Sequence, residues 1–132
     1  MKRQILAAAL AIMPVIAAAE DSAQITPNAD VLTMINVWTP AQGEQDAFIA
    51  MLETALSDEL VQQPGFISGN IHRSLDSDHV VMYAQWADQG ALEAFVAKLQ
   101  SGGAPEMAAV FGAARPDFHP YDVTATDLGV KG

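Results

Sequence analysis

Two side chains are the first candidates for chemistry, Asn36 and Trp86. Asn36 lies in VLTMINVW, residues Val31–Trp38, whose β-branched and large apolar residues predict a strand that is apolar on both faces. Alternate residues of a strand share a face, which groups Asn36 with Leu32, Met34 and Trp38. Trp86 ends a second such run, His79–Trp86 (HVVMYAQW), and shares a face with Val80, Met82 and Ala84. An amide directed at a core costs about 1–3 kcal/mol if it finds no partner. Asn36 therefore either bonds to a loop backbone or awaits a ligand. If the two strands are parallel neighbours, Asn36 and Trp86 meet at one end of the sheet, beside the loops that enter the helices.

The other polar residues offer less. His72 and His79 flank a turn, as decoration of strand ends or as a base, and His119 stands in Phe118-His119-Pro120-Tyr121. The three histidines show neither HxH nor HExxH spacing, so no metal site is expected. Met34, Met51, Met82 and Met107 fall in helix or strand stripes and read as core. Arg73 is a rare cation, within reach of Asp76 or Asp78.

The elements that must position these residues follow from the apolar pattern. Ala41–Val61 has helical spacing, with Ala47, Phe48, Met51, Leu52, Ala55 and Leu56 on one side. Gln62-Gln63-Pro64-Gly65 stops it. Phe66–Arg73 and His79–Trp86 form a hairpin around the polar turn Ser74–Asp78. Asp88 caps a second helix running to about Leu99, with Leu92, Phe95, Val96 and Leu99 as its stripe. Ser101-Gly102-Gly103 ends that helix, Pro105–Phe111 adds one or two helical turns, and Phe118–Thr126 is a fourth strand. The order β-α-β-β-α-β predicts an α+β, ferredoxin-like split βαβ fold, an antiparallel sheet with both helices on one face and the first and third strands central and parallel. The uncovered face should carry Val31, Ile35 and Val37 or their alternates, with Tyr83 on the side away from Trp86, so two copies are expected to pair through it.

Three segments at the expected spacing, Gln63-Pro64-Gly65-Phe66-Ile67-Ser68, His72-Arg73-Ser74-Leu75-Asp76 and Val80–Trp86, resemble the antibiotic biosynthesis monooxygenase family. The resemblance covers Val31 to about Phe95 and assigns 31–127 to one such domain. It implies a ferredoxin-like subunit that pairs into a dimeric α/β barrel, and an oxygenase that needs no cofactor. An electron-rich phenol or anthrone would pass an electron to O2, and a peroxide would collapse to a quinone and water. By position, Asn36 matches the family residue that hydrogen-bonds substrate and Trp86 the one that packs on it, which makes both catalytic candidates. Met82, Trp38, Met34, Phe48 and His72 complete a substrate-binding set. Two departures matter. Anthrone oxygenases of the family carry Asn where this chain has Met82, which leaves room for a non-catalytic ligand-binding dimer. Haem-degrading members use a His on the second helix, and Gln89–Leu99 has none.

Composition bounds the rest. MKRQILAAALAIMPVIAAA has the positive start, apolar middle and small-residue end of a signal peptide, so residues 1–19 are expected to be removed and the protein to be periplasmic or secreted. Residues 20–30 read as a flexible leader. All 16 acidic residues follow residue 19, against four of the six basic ones, a balance that disfavours nucleic acid and anionic membrane surfaces as partners. With no cysteine, disulfides, thiolate catalysis and iron–sulfur clusters are excluded.

Overall fold

A computed structural model describes residues 22–27 and 29–130 of the chain. The expected signal peptide lies outside the described residues. The order is β1 (Leu32–Pro40), α1 (Gln45–Asp58), a 3-10 turn (Leu60–Gln62), β2 (Phe66–Arg73), β3 (Val80–Trp86), α2 (Gln89–Gln100), α3 (Pro105–Ala113) and β4 (Ala114–Tyr121). The four strands form one sheet in the order β2-β3-β1-β4, and every neighbouring pair is antiparallel. This is the ferredoxin-like α+β arrangement, with one further helix, α3, between α2 and β4.

The orientation of β1 and β3 corrects the sequence reading. They are antiparallel, with Asn36 opposite Met82 and Leu32 opposite Trp86. The connections require this. The α1 crossover leaves β2 parallel to β1, and the tight hairpin then reverses the chain into β3. Asn36 and Trp86 therefore share a face but not an end.

Local chemistry accounts for the elements. Asp88 caps α2 as expected, its Oδ1 accepting the Ala91 N–H at 2.8 Å. Gln45, at the start of α1, holds the hairpin turn: its Nε2 donates to the carbonyls of Ser74, Ser77 and His79 at 3.0–3.1 Å. Arg73 pairs with Asp46 of α1, not with Asp76 or Asp78, because it lies opposite Val80 on the helix-covered face. Gly65 adopts φ +82°, and a Cβ there would lie 2.5 Å from that of Ala91, so the Pro-Gly turn both requires glycine and lets α2 approach closely. α1 is shorter than the apolar pattern suggested. β4 starts at Ala114 instead of Phe118, directly after α3, and its Pro116 and Pro120 are tolerated because it is an edge strand.

The sheet has two unlike faces. Met34, Asn36, Trp38, Val80, Met82, Ala84 and Trp86 are buried beneath the helices together with Phe48, Leu52, Phe95, Met107 and Val110. On the other face lie half-buried Ile35, Val37, Val81 and Tyr83, flanked by Ser68, Asn70 and His72 of β2 and by Asp117, His119 and Tyr121 of β4. The leader crosses one end of this face, where the Gln24 carbonyl accepts a hydrogen bond from Gln85 Nε2 at 2.8 Å.

Candidate functional site

Between the helix-covered sheet face and α2 and α3 the packing leaves a cavity of about 260 Å³. The sheet supplies Met34, Asn36, Phe66, Met82, Ala84, Trp86 and Phe118, and the 3-10 turn supplies Leu60. α2 contributes Leu92, Phe95, Val96, Leu99 and Gln100, and α3 contributes Met107 and Phe111. Val96 and Phe118 are 38% and 43% exposed, so the mouth lies between α2 and the β4 edge.

Strand alternation explains why these side chains meet. Asn36 lies between Met82 of β3 and Phe118 of β4 across the ladder, and all three point toward the helices. Trp86 is held from two sides, edge-on to Phe66 at 5.0 Å between ring centroids and tilted against Phe95 at 5.7 Å. Phe111 and Phe118 meet edge-to-face at 5.8 Å and close the opposite wall. These contacts fix the rings without filling the space between them.

The electrostatics are simple. Among the described residues no Asp, Glu, Lys, Arg or His lines the cavity, and its only polar side-chain groups are the amides of Asn36 and Gln100 and the indole N–H of Trp86. Asn36 is 8% exposed, and its Oδ1 is wholly buried with no hydrogen-bond partner. A buried amide oxygen left unpaired costs about 1–3 kcal/mol. The site thus offers an apolar slot with aromatic walls and one amide side chain on its wall, which suits a planar molecule bearing an oxygen.

The structure brings together four of the seven residues named from the sequence, namely Asn36, Trp86, Met82 and Met34. The other three lie elsewhere. Trp38 is completely buried two residues beyond Asn36, packed against Phe48 at 5.5 Å and Phe111 at 4.9 Å, and neither Trp38 nor Phe48 reaches the cavity. His72 pairs with Val81 on the open sheet face, exposed and on the far side of the sheet. The site residues that sequence reasoning missed are Phe118, Phe111, Met107, Ala84, Phe66, Leu60 and Gln100. The α2 stripe of Leu92, Phe95, Val96 and Leu99 was visible as a helix face but not as a cavity wall.

A family model for antibiotic biosynthesis monooxygenases matches residues 31–109, from the start of β1 into α3. The chain belongs to the antibiotic biosynthesis monooxygenase family. Over 72 residues it is 35% identical to the tetracenomycin-F1 monooxygenase of Streptomyces glaucescens, a match covering 54% of this chain and 64% of that protein. The chain therefore spans a little under two thirds of that relative's length. A variant of SnoaB, a cofactor-independent oxygenase from Streptomyces nogalater, superposes with a TM-score of 0.64 at 25% identity, covering 74% of this chain and 97% of that one. A monooxygenase from Streptomyces coelicolor in complex with nanaomycin D shares the fold at a TM-score of 0.57 and 19% identity, covering 75% and 92%. In this chain the thioether of Met82 lines the cavity directly across the ladder from Asn36.

Proposed function

We propose that this protein oxidises a small aromatic phenol, hydroquinone or anthrone with O2, without a cofactor, in the cavity between the sheet and α2 and α3. The observation that carries the reading is the amide side chain of Asn36 on the wall of an otherwise apolar aromatic slot. Kinship with the tetracenomycin-F1 monooxygenase and with SnoaB supports it. Asn36 Nδ2 would donate a hydrogen bond to the substrate's oxygen while Trp86 stacks along the ring, and the apolar walls would exclude water. The substrate enters as its anion, its proton left to the solvent, and transfers one electron to O2, and the radical pair combines to a peroxide that takes a proton back from solvent. Loss of water then leaves one oxygen atom on the substrate as a new carbonyl. For an anthrone, a CH2 group and O2 become C=O and H2O, and the substrate supplies all four electrons. The protein's part is orientation and stabilisation of the anion.

Asn36→Leu keeps the volume and removes the hydrogen bond. Oxygen uptake with a panel of anthrones and hydroquinones is expected to fall by about 10²–10³, the scale of losing one oxyanion-type donor. Unchanged uptake would remove Asn36 from the reaction.

One observation favours a second reading. Met82 cannot donate a hydrogen bond, and no titratable side chain among the described residues lines the cavity to take up a proton. A protein that binds such a molecule without oxidising it would bind hydroquinones saturably and consume no O2.

The reading extends to assembly and location. The open face, with Ile35, Val37, Val81 and Tyr83 at its centre, would pair with a second copy and complete the barrel, and the first 19 residues would direct the protein out of the cytoplasm. Light scattering on purified protein should then give twice the monomer mass, and the exported protein should begin near Glu20.

A further inference from the structure

α3 begins without a cap of its own. Its N-cap residue is Ala104, which makes no side-chain hydrogen bond, and its first residue is Pro105, which has no N–H. The next two N–H groups, of Glu106 and Met107, have no acceptor within the helix. Both are taken by one side chain from another element. Glu59 Oε2 accepts the Glu106 N–H and Glu59 Oε1 accepts the Met107 N–H, each at 2.7 Å.

Glu59 is itself held in place. Its backbone N–H closes α1 on the Ala55 carbonyl. Its carbonyl accepts Gln63 Nε2 at 2.8 Å, and the Gln63 carbonyl in turn accepts the Phe66 N–H at 3.1 Å. One residue therefore joins three pieces of the cavity wall: Leu60 next to it, Phe66 through Gln63, and α3 through its carboxylate. α3 carries Met107 and Phe111, and the turn before it holds Gly102 at φ +90°, so its attachment to α2 is short and glycine-bearing.

We propose that Glu59 is a positioning residue of the cavity, its two-pronged carboxylate fixing the wall that Met107 and Phe111 present to a ligand. The proposal rests on the reading of the cavity as the ligand site, and it assigns to Glu59 no contact with substrate. The consequence is directional. Loss of the carboxylate should loosen α3 before it loosens the sheet, and should weaken ligand binding through a displaced wall.

The test compares Glu59→Ala and Glu59→Gln with the parent in two measurements. The first is native-state amide exchange. First-turn N–H groups normally exchange freely, so protection at Glu106 and Met107 reports the Glu59 contact itself. Glu59→Ala should speed exchange at these two amides by about tenfold or more relative to the amides of β1 and β3. Glu59→Gln, which keeps one acceptor oxygen, should fall between. The second is calorimetric binding of 1-naphthol, whose dissociation constant should rise about tenfold in Glu59→Ala and less in Glu59→Gln. Equal acceleration in α3 and in the sheet would mean that Glu59 contributes only to global stability, and would overturn the proposal. So would local loosening with an unchanged dissociation constant. If the parent fails to bind 1-naphthol, the reading of the cavity as a slot for a small phenol fails, and the exchange ratio alone still decides whether Glu59 holds α3.

Discussion

The layer between sheet and helices has two ends that differ sharply, although one strand serves both. At one end, β1 presents Trp38, fully buried and in ring contact with Phe48 and Phe111, in a core that also contains Leu52, Val80 and Val110. Two residues earlier on the same face, the strand presents Asn36 to open space walled by Trp86, Phe95, Phe111 and Phe118. Both residues bury a polar atom without a partner, Trp38 its Nε1 and Asn36 its Oδ1. At the filled end no room remains for a ligand to satisfy that atom. At the other end the Asn36 side chain borders the cavity. α1 covers the first region with Phe48 and Leu52, and α2 lines the second with Leu92, Phe95, Val96 and Leu99. The lesson is that one face of one sheet can be core and site at once, divided by which helix lies above it.

The largest expected effect tests whether the ends really differ. Trp38→Ala should cost about 3–5 kcal/mol, a large part of the stability of a domain this size, because close-packed surroundings cannot collapse into the void. Trp86→Ala should cost less, since Trp86 already faces empty space on one side. Denaturant midpoints, with the slope unchanged, measure both. Equal losses would mean that the cavity end is as tightly packed as the Trp38 end, and the comparison would fail. The variant Asn36→Leu sharpens it from the other side. Removing an unpaired buried amide in favour of an isosteric apolar group should raise stability by about 1–3 kcal/mol while activity falls. That opposed pair of changes is the signature of a polar group kept for function.

The sequence read the elements better than their mutual orientation. β2 was delimited correctly because Gly65 and the polar turn after Arg73 mark its ends, and Asp88 announced α2 as a cap. Strand parity correctly placed Asn36, Met34, Met82 and Trp86 on one face, since alternation is a property of each strand alone. The direction of β1 relative to β3 is a property of the connections, and reading it as parallel put Asn36 and Trp86 at one end. β4 was shifted because Pro116 and Pro120 disguise an edge strand, and that shift concealed Phe118 directly beside Asn36. His72 was misplaced for a similar reason. The bulge between Phe66 and Ser68 resets the alternation of β2, so the facing of its later residues depends on an irregularity that apolar patterning does not show.

α3 belongs to both ends, since Phe111 touches Trp38 and also lines the cavity, and a smaller effect at its start tests how it is held. A carboxylate in the first turn of a helix is normally favoured by the helix dipole. Glu106 departs from this, because its pKa is raised, first by desolvation, then by repulsion from Asp58 and a hydrogen bond with it, and last by the charge of Glu59. A carboxyl whose pKa is higher folded than unfolded binds its proton more tightly in the folded state, so the ionised form weakens folding at neutral pH and the loss is recovered as pH falls through the folded-state pKa. Glu106→Gln removes the charge while leaving the backbone N–H that Glu59 accepts. It should therefore raise the melting temperature slightly at pH 7, and the gain should shrink to nothing on acidification, once Glu106 of the parent is protonated too. Melting curves of both proteins across that range decide the matter. A gain independent of pH, or a loss at pH 7, would show that crowded negative charge at the start of α3 does not oppose folding.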